Sequence, residues 1–209
     1  MDKRTEKIFE DMENNSLGLD DSFDFKCRSC GKCCKNRHDI ILTTRDLYSI
    51  ARSLGRAPDY VVKRYCDVYV GDSSRIPIVR LKPTGSEQAC PLLHQKRCIV
   101  HTGKPVICAL YPLGRAASFG QTGEDAEMPE KSEPKYFFQS DACGSRDQTH
   151  TVRSWLNHFN IPIEDEFYPL WNEMTVLLST SFRKLESQEA SVEALERLRV
   201  IAFLQMYIN

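Results

Sequence analysis

The stretch Cys27-Arg28-Ser29-Cys30-Gly31-Lys32-Cys33-Cys34 places four thiols within eight residues, two of them adjacent. Packing alone rarely calls for that density. Two thiolates separated by two residues curl round one point, because a CxxC turn brings both sulfurs together and directs the intervening amides at them. Gly31 supports such a turn. Cys33 and Cys34 are different. Neighbouring side chains in extended or irregular backbone diverge, so their sulfurs are expected to serve different ions, different irons, or a ligand and a core position. Four further cysteines, Cys90, Cys98, Cys108 and Cys143, follow in Gly- and Pro-punctuated sequence. All eight are read as metal ligands converging in space. Cys66 lies in a helix-like apolar pattern and is expected in the core.

The competing use of so many thiols is a disulfide framework, which belongs to oxidising compartments and small secreted scaffolds. The first residues, Met1-Asp2-Lys3-Arg4-Thr5-Glu6-Lys7, are charged and contain no apolar segment like that of a secretory signal. Nine cysteines is an odd number, and 209 residues can bury a core without covalent staples. A cytoplasmic chain with reduced thiols is the expectation. The formal net charge of −1 gives no electrostatic reason to expect nucleic acid as a partner. The apolar run from Val200 to Ile208 is too short to span a bilayer.

The rest of the chain predicts an α+β fold: a small irregular cysteine-rich core with short strands and a hairpin, packed against C-terminal helices. Residues 1–25 are polar and read as a flexible segment with a possible short helix around Ile8 to Met12. The cysteine-bearing domain is expected over 26–148 and a helical extension over 149–209. Ile40-Ile41-Leu42 reads as a short buried strand. Thr43 or Thr44 caps a helix through Leu47, Ile50, Ala51 and Leu54 that Gly55 ends, and Pro58 opens another through Tyr65. Ile76 to Leu81 has strand character, with Pro77 restricting it to an edge or a strand start. His94-Gln95-Lys96-Arg97 reads as the turn of a hairpin flanked by Cys90 and Cys98. Pro105 starts a short helix through Leu110 carrying Cys108, and Tyr136-Phe137-Phe138 reads as a strand leading to Cys143. Gly120 to Pro134 reads as an exposed loop. Helical spacing recurs at Val152, Trp155, Leu156 and Phe159, at Phe167, Leu170, Trp171, Met174, Leu177 and Leu178, and at Val192, Leu195, Leu198, Ile201 and Leu204. These stripes read as core faces rather than as an aromatic ligand pocket.

Cys27-x-x-Cys30-x-x-Cys33-Cys34, then Ile41-Leu42-Thr43 and Asp46-Leu47, then Cys98-x-x-His101, Pro105-x-x-Cys108 and Tyr111-Pro112 together resemble the YkgJ-type CxxCxxCC cysteine-cluster family. The resemblance covers roughly residues 27–143. It implies a zinc- or iron-chelating domain, and a relationship to flagellin lysine N-methylases. This chain has His101 where that family usually has Tyr, Lys104 where it has Arg, and Ala109 where it often has Arg. His101 is therefore a replacement at a structural position rather than an inherited ligand. His94, in the turn, and His38, near the cluster, are weaker candidates for coordination or for support of a ligand.

All-thiolate sites suit zinc or iron–sulfur clusters. CxxCxxC with a remote fourth cysteine resembles ferredoxin-like [4Fe–4S] binding, whereas structural zinc more often takes two separated CxxC pairs. The leading expectation is thus a metal-binding protein carrying an iron–sulfur cluster, in a redox, structural or delivery role. Two alternatives stand beside it. One is an S-adenosylmethionine-dependent protein-lysine N-methylase acting on a protein substrate, although no GxGxxG or other methyl-donor motif is found in the sequence. The other is a zinc-stabilised module that presents its helices to a protein partner. Tyr111, Asp39 and Asp46 are candidates for proton transfer, against the plainer roles of packing for Tyr and helix capping for Asp.

Overall fold

The computed structural model describes residues 3–116 and 135–209; the loop expected at Gly120 to Pro134 lies outside them. In chain order the elements are α1 (Lys3–Asn14), β1 (Ser16–Leu17), β2 (Ser22–Lys26), a 3-10 turn at Lys32–Cys34, α2 (Thr44–Leu54), α3 (Pro58–Tyr65), β3 (Cys66–Val70), β4 (Pro77–Leu81), β5 (Leu93–His94), β6 (Arg97–Cys98), a 3-10 turn at His101–Gly103, α4 (Val106–Leu110), β7 (Leu113–Ala116), β8 (Lys135–Phe138), β9 (Ser145–Thr151), α5 (Val152–His158), α6 (Phe167–Ser187) and α7 (Val192–Phe203), which runs on into a wider turn at Leu204–Ile208. The fold is α+β, with C-terminal helices and small separate sheets. Among the described residues no helix is long and apolar enough to cross a membrane.

Contacts divide the chain into two compact units, Met1–Cys33 with Val106–Glu164 and Cys34–Pro105 with Asp165–Asn209. The first unit is organised by β2, whose alternating Ser-Phe-Asp-Phe-Lys buries Phe23 and Phe25 and leaves its other residues exposed. It pairs antiparallel with β9, and the register shifts between Asp24 and Lys26. The N-terminal stretch read as flexible therefore supplies a core strand, preceded by α1. Phe23 and Phe25 pack with Ala109, Leu110, Leu113, Tyr136 and, from α5, Val152, Trp155 and Leu156. A three-stranded sheet in the order β1-β8-β7 belongs to the same unit. Thr151 caps α5, accepting from the Ser154 amide while the Ser154 hydroxyl accepts from the Thr151 amide.

The second unit follows its local signals closely. Thr43 and Asp46 form a reciprocal capping box at the start of α2, and Gly55 ends that helix at φ +60°. Asp46 is thus a capping residue. Ile40 and Leu42 are buried and bond to β4 through the Leu42 amide to the Val79 carbonyl and the Leu81 amide to the Ile40 carbonyl. β5 and β6 form the expected hairpin, its two-residue turn made by Gln95 and Lys96 at φ +46° and +64°. One expectation changes. Cys66 does not continue the helix but opens β3, a strand whose full length pairs with β4 from Cys66↔Leu81 to Val70↔Pro77. The β-rich run Val68-Tyr69-Val70 and the pairing strand outweigh the helical spacing that ends at Tyr65. At the other end of the chain, the buried Asp165 carboxylate accepts from the Phe167 amide and from Arg45 of α2 (2.6 Å), whose guanidinium lies over the Phe167 ring at 4.1 Å. These contacts fix the start of α6 on α2.

Candidate metal centre

In the first unit the run Cys27 to Cys33 leaves the end of β2 in an irregular path, with Ser29 and Gly31 at φ +49° and +71°. That path turns amides toward sulfur. The Ser29 amide donates to Cys27 Sγ at 3.4 Å, and the Lys32 amide donates to the Cys30 sulfur. Each of these two sulfurs thus accepts from the amide two residues on and keeps lone pairs for a cation. The Lys32 amide is the largest cause that holds Cys30 below the ordinary thiol range, helped by a hydrogen bond with Cys143 and by the Lys32 charge, and opposed by burial.

Cys143 arrives from the other side of the same strand pair. Lys26 faces Ser145 in the β2–β9 ladder, so the chain two residues before Ser145 lies beside the start of the Cys27 run. Gly144 makes the approach possible. It has φ +144°, and a Cβ there would stand 2.5 Å from the Phe25 ring and 2.9 Å from the Lys26 carbonyl oxygen. Cys143 feels both Cys30 and Cys33; burial is the largest cause that raises it, the two neighbouring thiols add to the rise, and Tyr111 opposes it. The Tyr111 hydroxyl accepts from the Cys143 amide at 2.5 Å and donates to the Cys143 sulfur. Burial and that thiol hold the phenol well above its usual range, so it stays a proton donor. Tyr111 is therefore a support for a thiol. Its ring also meets Phe25 edge-on, with centroids 5.9 Å apart.

Cys108, half-buried, sits in α4 of the same unit. The indole of Trp155 donates to the Ala109 and Leu110 carbonyls at 3.2 and 3.0 Å, which ties down the helix end next to Cys108. The first unit thus carries Cys27, Cys30, Cys33, Cys108 and Cys143. The second carries Cys34, Cys90 and Cys98, with Cys66. The Cys90 amide donates to the Cys34 carbonyl at 2.7 Å, the Leu93 amide donates to the Cys90 carbonyl, and Cys98 faces Leu93 in the hairpin. The boundary between the units falls between the adjacent Cys33 and Cys34. Each of that pair has its own neighbours: Cys33 acts on Cys143, and Cys34 is bound to Cys90 through the backbone.

Among the described residues no three or more His, Cys, Asp or Glu side chains lie together as a group that could hold a metal ion. The donor set nevertheless fits zinc or iron. It consists of thiols, and two of them, Cys27 and Cys30, accept backbone amides. His38, His94 and His101 are exposed. An open groove of about 450 Å³, lined by residues including Asn15, Leu17, Phe23, Phe138 and Arg146, contains no thiol and lies apart from this chemistry.

A sequence profile described as "CxxCxxCC: Putative zinc- or iron-chelating domain" matches residues 26–143, more than half of the chain. The chain belongs to the CxxCxxCC family. Comparison with curated proteins and comparison with solved structures each returned no match. The family match runs from the residue before the first thiol to the last one, Cys143, so it spans all nine cysteines and leaves α5, α6 and α7 outside.

Proposed function

We propose that this protein carries a cysteine-ligated metal centre, and that in the first unit the centre is an iron–sulfur cluster held by Cys27, Cys30 and Cys33 with Cys143 as the remote fourth thiolate. The observation that carries this reading is the pair of amide-to-sulfur hydrogen bonds at Cys27 and Cys30 beside a thiol, Cys143, that shares a hydrogen bond with Cys30. CxxCxxC with one distant cysteine is the ligand spacing of cubane clusters rather than of paired zinc knuckles. Such a cluster supplies one-electron transfer and cross-links the segments that bind it. The chain's own part is to orient four sulfurs, to donate amides that stabilise their negative charge, and to place the Tyr111 hydroxyl against Cys143.

A second reading, a zinc-stabilised module that docks on a protein partner, draws on a separate observation. Leu170, Val176 and Leu177 of α6 and Val192, Val200 and Ile201 of α7 are each more than half exposed. Metal analysis separates the two readings. Protein purified anaerobically from iron-replete cells is expected to contain iron and acid-labile sulfide and to show a brown absorption that bleaches on exposure to oxygen. Stoichiometric zinc without sulfide overturns the cluster and promotes the docking module. Lysine methylation is tested on the same preparation by S-adenosylmethionine binding and methyl transfer to a protein lysine.

A further inference from the structure

Around α6 the inward and outward residues separate cleanly. Ser179 and Phe182 are buried, Trp171 meets Tyr207 with ring centroids 5.7 Å apart, and Glu186 accepts from Arg199 at 2.6 Å, so this side is held within the second unit. On the opposite side Leu170, Glu173, Leu177, Thr180, Lys184 and Ser187 are all exposed, Leu170 to 63% and Leu177 to 58%. Alternate steps of three and four residues keep these six in one stripe along the helix, the pattern that two paired helices bury between them. Val176, 56% exposed, flanks the stripe.

The stripe carries one acidic and one basic group. Glu173 lies toward the start of α6 and Lys184 toward its end, and among the described residues neither takes part in an ion pair. Their midpoint falls between Leu178 and Ser179, so a two-fold axis at that level sets Glu173 of each copy against Lys184 of the other, twice over. The same axis brings the two Leu177 side chains to within about 4.5 Å of one another along the helix direction, at a rise of 1.5 Å per residue, and opposes the two helix dipoles. A parallel pairing would set Glu173 against Glu173 and Lys184 against Lys184.

We propose that α6 pairs antiparallel with α6 of a second copy of this chain, making the protein a reversible dimer. Leu177, with Val176 and Leu170, supplies the apolar contact, and the reciprocal Glu173 and Lys184 pairs fix direction and register. One helix from each chain makes a small interface, so association falls in the micromolar range. The proposal rests on the docking part of the second reading above and names its occupant. It needs neither zinc nor iron, and metal content measured on the same samples keeps a failure of that reading distinct from a failure of this one.

Sedimentation equilibrium of the full-length protein in reductant, at concentrations up to about 100 µM, is expected to show monomer and dimer in exchange. Glu173→Lys and Lys184→Glu each turn both attractive pairs into repulsive ones, and each is expected to weaken the dimer about tenfold. An equal mixture of these two variants is expected to recover wild-type association, since each chain then meets opposite charges. Leu177→Glu, which sets two carboxylates side by side at the axis, is expected to weaken the dimer at least as much. The three positions are exposed, so the wild-type circular dichroism is expected to persist, and recovery in the mixture itself reports that both charge variants are folded. A wild-type monomer throughout the concentration range overturns the proposal and leaves α6 to a different partner. A dimer that none of the three variants weakens overturns its placement on α6, and weakening by both charge variants without recovery in the mixture overturns the antiparallel pairing. Wild-type protein gives a companion measurement: Lys184 is expected to be acetylated more slowly above the dissociation constant than below it, relative to the exposed Lys63. Equal relative rates at both concentrations overturn the proposal.

Discussion

The Tyr111 hydroxyl accepts from the amide of Cys143 and donates to the sulfur of the same residue, so one phenol fixes both the backbone and the charge of a thiol that no local sequence constrains. Tyr111→Phe keeps the ring against Phe25 and removes both bonds. The expected result is a metal affinity lower by roughly tenfold to a hundredfold, the usual effect of losing support for a ligand, with loss of about 1–3 kcal/mol of metal-free stability from the unpaired Cys143 amide. Competitive chelator titration and denaturant unfolding check the two parts.

Gly144 is the second support for Cys143. Gly144→Ala puts a methyl group into the Phe25 ring and close to the Lys26 carbonyl, at a backbone angle that L side chains rarely adopt. A loss of about 1–3 kcal/mol from backbone strain is expected before any clash is added, with metal content falling in parallel. A variant that unfolds at the wild-type denaturant midpoint contradicts the placement of Gly144 between β2 and Cys143.

The thiols differ in how they respond to pH. Cys30 is held below the ordinary thiol range and Cys66 is pushed up to about 12. For Cys66 the folded value lies above the unfolded one of about 8.5, so its contribution to the stability of the metal-free protein is complete below that pH and is lost as pH rises toward 12. Cys30 has the opposite sign: its contribution is complete above the unfolded value and is lost as pH falls through its lowered folded value. Residue-resolved alkylation of reduced, metal-free protein is expected to label Cys30 readily near neutral pH and Cys66 only in alkali. The reverse order contradicts the assignment of their surroundings.

Binding and folding are expected to be coupled, since the ligands come from segments far apart in the chain. Cys30→Ser should lower metal content and protease resistance together, with cleavage appearing first in the Cys27 to Cys34 run. Unchanged stoichiometry and unchanged resistance would mean that Cys30 is not a ligand. Limited proteolysis with metal analysis of the same samples reads both quantities.

Much of the second unit is legible because its signals are local. Thr43 with Asp46, Gly55, Pro58 and the Gln95-Lys96 turn each specify an element within a few residues. The strands missed by sequence reasoning lack such signals. Ser145 to Thr151 is almost wholly polar, and it becomes a strand only because β2 lies beside it; β2 itself shows a clear alternation of Phe23 and Phe25, hidden in a segment whose acidity dominates. Cys66 closes a helical pattern so neatly that its pairing with Leu81 is invisible without β4. The change to helical spacing near residue 150 marks where helices begin but not what they pack on: α5 builds the core of the unit that holds Cys143, whereas α6 and α7 belong to the unit that holds Cys34. At the site, spacing and resemblance single out eight thiols as candidate ligands. The support from Tyr111 to Cys143 is not legible there, because it joins residues 32 positions apart with no pattern linking them.

X-ray absorption at the metal edge of the anaerobically purified wild-type protein tests the central claim most directly, because it counts the atoms bound to the metal without altering the chain. The account predicts a first shell of sulfur alone at about 2.3 Å, with a short iron-to-iron distance if the first unit holds a cluster. A first shell dominated by nitrogen or oxygen would contradict cysteine ligation.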